Sequence, residues 1–188
     1  MSRSWLVAGL VCFIVGCGGG DNPTVEMVTD LGTVRMELFE DRAPITVKNF
    51  LQYVEDKHYD GVIFHRVIPS FMVQCGGFTP AMSEKPTRSN IKNESTNGLK
   101  NDRGTLAMAR TNDPDSASAQ FFINVVDNPG LNRNGNNAGY AVFGKVISGM
   151  DVVDQIRRVP TGVKNGHEDV PVNPVVIQSI RRLAVEKK

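Results

Sequence analysis

The stretch Phe64-His65-Arg66-Val67-Ile68-Pro69-Ser70-Phe71-Met72-Val73-Gln74 brings a permanent cation, bulky apolar groups and an amide within one hairpin-sized segment. Side chains alternate along an extended strand, so Met72 and Gln74 share a face. By the same rule Gln120, Phe122 and Asn124 share a face of a second segment, which sets a polar group beside an aromatic one. Two such strands would line a groove of mixed apolar and polar character. Residue types alone leave a second reading open, in which Phe71, Met72 and Phe122 are barrel core and Arg66 is a solvated strand residue.

Other chemistries have less to stand on. His58, His65 and His167 lack metal-ligand spacing, so no metal or other cofactor is expected. No GxSxG elbow presents a serine nucleophile. The 21 basic and 20 acidic side chains leave a formal charge of +1 without long blocks of one sign, which argues against nucleic acid or an acidic membrane surface as a partner. A chain of 188 residues with 40% hydrophobic composition is long enough for one domain with its own core, and such a small near-neutral domain is expected to be a monomer.

The elements that must position these residues follow from periodicity. Val25 to Thr29 and Thr33 to Phe39 alternate apolar and polar around Asp30-Leu31-Gly32, the pattern of a hairpin with one buried face. After Ala43-Pro44 the apolar residues Val47, Phe50, Leu51 and Val54 recur at helical spacing, which predicts an amphipathic helix ending near Lys57. Short β-rich runs follow at 62–67, 71–75, 105–109, 120–126 and 140–146, each bounded by Gly, Pro, Asn or Asp. A second helix reads from Met150 to Arg158, and Val175 to Leu183 alternates again. The expected fold is mainly β, a closed eight-stranded antiparallel barrel capped by two α-helices, because closure removes exposed edges.

The N-terminus reads as an address. Arg3 precedes an apolar run from Trp5 to Gly16, too short to span a bilayer and ending in Ile14-Val15-Gly16-Cys17. That ending resembles the lipobox of bacterial lipoproteins. Residues 1–16 are then a signal peptide, Cys17 the lipidated first residue, 17–23 a flexible Gly-rich connector and 24–188 the folded domain. The chain is expected outside the cytoplasm, facing the periplasm and touching a bacterial membrane through its lipid alone. Of the three cysteines only Cys75 stays in the domain, which leaves no intramolecular disulfide.

Tyr59 to Gly77, YDGVIFHRVIPSFMVQCGG, resembles the signature of the cyclophilin-type peptidyl-prolyl cis-trans isomerases along its whole length. Gly104 to Asn124 and Gly139 to Val146 resemble further blocks of that family in the same order, so the similarity spans about Val25 to Leu183. It implies an eight-stranded barrel with two helices, and an enzyme that rotates X-Pro bonds in proline-containing peptides and in unfolded or folding proteins. By that resemblance Arg66 matches the catalytic arginine, with Phe71 and Gln74 beside it. Met72, Phe122 and Leu131 join Phe71 around the proline ring, while His65, Gln120 and Tyr140 match groove positions. Ala109 and Arg110 occupy the strand that pairs with substrate backbone. Gly130 stands where many members carry an aromatic residue, often Trp, that also contributes to cyclosporin binding. The competing expectation is an adaptor of the same fold that binds Pro-peptides without turnover; retention of Arg66 separates the two.

Overall fold

The computed structural model describes residues 22–184, so the signal peptide and Cys17 lie outside the described residues. Strands β1 (Thr24–Thr29) and β2 (Gly32–Leu38) pair through the two-residue turn Asp30-Leu31, and their alternation buries Val25, Met27, Val34, Met36 and Leu38 completely. The connector is already docked at Asn22 and Pro23: the Asn22 amide donates to Glu37 at 3.0 Å, and Leu38 N–H donates to the Pro23 carbonyl. Helix α1 (Pro44–Glu55) starts with proline in its first turn, where the missing N–H costs nothing. Its N-cap residue Ala43 has no capping side chain, and Glu94 supplies the acceptor instead, taking the N–H groups of Ile45 and Thr46 at 3.1 and 2.7 Å. The face bearing Val47, Phe50, Leu51 and Val54 packs inward, as its spacing predicts.

The remaining strands are β3 (Val62–Ile63), β4 (Arg66–Ile68), β5 (Met72–Cys75), β6 (Thr105–Met108), β7 (Phe121–Asn124), β8 (Val142–Ser148), β9 (Thr161–Lys164), β10 (His167–Pro171) and β11 (Val176–Arg182). Helix α2 (Met150–Ile156) lies between β8 and β9 and buries Val152, Val153 and Ile156. Nine strands form one antiparallel sheet in the order β3-β11-β1-β2-β8-β6-β7-β5-β4. This corrects the expectation of a closed barrel of eight: the sheet is curled but open, and it has nine strands. The extra strand and the gap have one cause. The run 62–67, expected as a single strand, changes partner at Phe64-His65. Phe64 N–H donates to Val175 next to β11, whereas His65 N–H donates to Gln74 on β5, so the two halves become the two edges of the sheet and exchange no ladder.

Strands β9 and β10 form a separate two-stranded sheet that the sequence reading did not anticipate. Its signal was present: Asn165-Gly166 takes φ of 50° and 79°, the left-handed pair that a tight hairpin turn requires.

Helix α1 plugs the curled sheet. Phe50 meets Tyr59, Phe121 and Phe143 with ring centroids 5.2, 5.3 and 5.3 Å away, and the buried Tyr59 hydroxyl donates to the Ala119 carbonyl at 3.0 Å. Helix α2 packs on β2 and is entered through Gly149, at φ 88°. A Cβ at Gly149 would sit 2.3 Å from the Thr33 carbonyl oxygen, whereas one at Gly61, also left-handed at φ 78°, would meet nothing within 4 Å. Gly61→Ala should therefore cost about 1 kcal/mol, the backbone penalty alone, and Gly149→Ala about 3 kcal/mol. Urea denaturation of the two variants measures the difference.

Candidate active site

Strands β4, β5, β7 and β6 lie side by side, and their register sets Arg66 opposite Gln74, Gln74 opposite Phe122 and Phe122 opposite Ala107. This row crosses the open face of the sheet. Phe121 and Ile123, one residue away on β7, point into the core, so the same strand supplies the groove floor and the domain interior. Met72, Ala107, Phe122 and Val142 form a buried cluster beneath the groove, with Phe71, Ala109, Leu131 and Tyr140 packed around it.

Above that floor is a cavity of about 230 Å³ lined by Arg66, Phe71, Met72, Gln74, Ala109, Arg110, Phe122, Leu131 and Tyr140. Nine of the eleven residues singled out in the domain thus meet at one place. Gln120 lies next door, in a second cavity of about 250 Å³ that shares Gln74, Ala109 and Arg110 with the first and adds Glu84 and Ser118. His65 lines neither. Its side chain turns under the sheet edge, where the residue is 5% exposed, its ring centroid lies 4.7 Å from that of Phe78 and its Nδ1 has no hydrogen-bond partner. Burial lowers its pKa to about 4, so it is neutral at pH 7.

The polar groups of the groove are held by contacts that sequence spacing does not encode. Gln74 donates to the Gln120 side chain at 2.9 Å, and among the described residues no hydrogen bond joins Gln74 to Arg66. The carboxylate nearest the Arg66 guanidinium is Asp169, with Oδ2 4.0 Å from Nε. Arg110 donates to the carbonyls of Gly139 and Thr111 at 3.1 and 2.7 Å and lies 4.5 Å over the Tyr140 ring. Tyr140 in turn meets Phe122 edge-on at 5.8 Å, so one continuous stack makes the wall of the groove. Strand β6 ends at Met108, and the Ala109 N–H donates to the Gln120 carbonyl.

Three buried asparagines missed by the sequence reading as positioning groups tie the lips of the cavity together. Asn128 donates to the Phe71 carbonyl at 2.8 Å and to Asn124 at 2.7 Å; Asn124 donates to Asn101 at 3.2 Å, and Asn101 donates to the Leu131 carbonyl at 3.2 Å. The sequence places Asn124 only on a strand face, and nothing local marks Asn101 or Asn128, whose contacts to the Leu131 and Phe71 carbonyls span 30 and 57 residues. Gly130 sits in the short 3-10 turn Pro129–Leu131, and a Cβ there would meet nothing within 4 Å. The space for a larger residue beside the pocket leucine is therefore open.

Residues 24–182 match the family described as cyclophilin type peptidyl-prolyl cis-trans isomerase/CLD. The chain is 59% identical over 160 residues to a peptidyl-prolyl cis-trans isomerase of Acinetobacter baylyi, covering 85% of each. It is 56% identical over 155 residues to peptidyl-prolyl cis-trans isomerase B of Escherichia coli, covering 81% of this chain and 94% of that one. Its fold is similar to a Cryptosporidium parvum cyclophilin type isomerase crystallised in the presence of the dipeptide Ala-Pro, with TM-score 0.70, 28% identity, and coverage of 86% and 99% of the two chains.

The depressed His65 pKa has a stability consequence with a definite sign. In the unfolded chain the imidazole protonates below about pH 6.5, whereas in the folded domain it resists protonation down to about pH 4. Between those values the unfolded state binds the extra proton, so stability falls as the pH falls, by on the order of 3 kcal/mol across the window. Urea midpoints followed from about pH 7 to pH 4.5 should drop less in His65→Gln than in the wild type. An identical pH dependence would mean that His65 titrates normally.

Proposed function

The chain belongs to the cyclophilin-type peptidyl-prolyl cis-trans isomerase family and is a peptidyl-prolyl cis-trans isomerase, and we propose that Arg66 is its catalytic group and that it acts outside the cytoplasm from a lipid anchor. The observation that carries the first part is a permanent cation in the wall of a cavity of about 230 Å³ that Phe71, Met72, Phe122 and Leu131 also line.

Rotation about an X-Pro bond breaks no covalent bond. It must cross a barrier of about 18–20 kcal/mol that arises from amide resonance. As the bond twists, resonance is lost, the prolyl nitrogen becomes pyramidal, and a lone pair appears where the planar ground state had none. A donor aimed at that nitrogen stabilises the twisted state more than either planar isomer, which is the requirement for catalysis. The guanidinium is planar, always charged and rich in donors, and it meets this need without a proton transfer. Phe71, Met72, Phe122 and Leu131 hold the pyrrolidine ring, leaving the preceding residue to turn. The Cryptosporidium relative was crystallised in the presence of Ala-Pro, a dipeptide of this chemistry. Gln74 acts at one remove: its amide is engaged by Gln120, and so it shapes the groove beside Arg66. Pro-containing segments of unfolded or folding proteins are the substrates this site suits.

The second part rests on residues 1–17. No helix among the described residues is long and apolar enough to cross a membrane. A lipid on Cys17 would tether the domain through the short connector that docks on β2 at Asn22 and Pro23. Several acyl chains on one residue hold a protein stably, which a single chain does not.

Two measurements test these assignments. Exchange at an Ala-Pro bond followed by NMR should show kcat/KM lowered about 100-fold in Arg66→Ala, the usual cost of losing one preorganised donor. Wild-type turnover in that variant would remove Arg66 from the mechanism. In fractionated cells the wild type should sediment with membranes and Cys17→Ser should appear in the soluble fraction; equal partitioning would overturn the lipid anchor.

A further inference from the structure

Arg66 needs something to aim it, since an arginine side chain has many rotamers and this one is 45% exposed. The family resemblance assigns nothing to the hairpin β9–β10, yet β10 packs against β4 and brings Asp169 to the guanidinium. Three features of that approach are unusual for a stray surface acid. Asp169 has φ of 59°, a left-handed conformation that residues with a Cβ seldom adopt. It lies where the β9–β10 register shifts between His167 and Val170, so the strand bulges there and re-aims the side chain. Val170, the next residue, is 2% exposed and packs with Ile63, Phe78 and Met82 under the sheet edge that leads into Arg66. The hairpin is pinned at its far end as well, by Lys164 donating to the Pro80 carbonyl at 3.0 Å. Strained backbone beside a reactive group is a recurring feature of functional sites.

We infer that Asp169 is the positioning residue for Arg66: a bulge in β10 holds its carboxylate toward Nε and so directs the two Nη groups to the proline cavity. Gln74, opposite Arg66 in the ladder, makes no hydrogen bond to it among the described residues, and its amide nitrogen donates to Gln120 instead. The separation of 4.0 Å is that of an ion pair rather than a direct hydrogen bond, and an exposed pair of this kind contributes little to stability. Its effect is therefore on the rate of the twisted state and not on folding. The inference rests on the assignment of Arg66 as the catalytic group.

The test is a double-mutant cycle of Asp169→Asn with Arg66→Ala in the full chain, reading kcat and KM for an Ala-Pro peptide together with Tm. Asn suits the left-handed backbone and keeps the size of the side chain while removing its charge; Asp169→Gly provides a second variant that tolerates the same φ. Both should lower kcat about tenfold with KM and Tm nearly unchanged, the loss expected from misaiming a donor. In the Arg66→Ala background the Asp169 substitution should change nothing further. Wild-type kcat in both Asp169 variants, with Arg66→Ala impaired, overturns this inference alone. An undiminished loss on the Arg66→Ala background places the action of Asp169 elsewhere and also overturns it. Full activity of Arg66→Ala instead removes the reading on which it rests.

Discussion

The packing of Phe50 against Tyr59, Phe121 and Phe143 is the contact on which the rest of the molecule depends. It drives the ring of α1 into the concave side of a sheet that would otherwise expose that side to water, and a buried aromatic of this kind contributes about 2–3 kcal/mol. Because β7 is extended, fixing Phe121 inward obliges Phe122 to face outward. The same holds on β5, where Val73 and Cys75 enter the core and Met72 and Gln74 face the groove. The groove is the reverse side of the hydrophobic core, and its geometry inherits the rigidity of a close-packed interior.

An open sheet is what makes such a surface usable. Had the run 62–67 closed a barrel, its strands would have been paired on both sides along their length. Instead the chain changes partner at Phe64-His65, β4 becomes an edge, and the guanidinium of Arg66 stands at that edge facing Asp169 of the packed β10. Exposed edges invite pairing with other chains, and short edge strands limit that hazard. β3 has two residues and β4 three.

The groove also shows how buried polar groups are made tolerable. Asn101, Asn124 and Asn128 are at most 9% exposed, yet their amides donate to one another and to the carbonyls of Phe71 and Leu131. Each side chain would be costly to bury alone. Linked together they hold the two lips of the cavity at a fixed separation. His65, beneath the groove, is held neutral by its burial.

Much of this was legible in the sequence because it depends on neighbours two, three or four residues apart. Alternation identified the faces of β1, β2, β5 and β7, helical spacing identified the buried face of α1, and the residues gathered at the cavity were nearly all named from strand period and family resemblance. The hairpin β9–β10 was encoded just as locally, in Asn165-Gly166, and was overlooked. What only the tertiary structure decided involves partners remote in the chain: Glu94 capping α1 from 48 residues away, Asn101 holding Leu131 across 30, the partner switch at Phe64-His65, and Asp169 facing Arg66. Local period states which way a side chain points. Which group it meets there depends on how the intervening loops close, and that is settled only when the whole core packs.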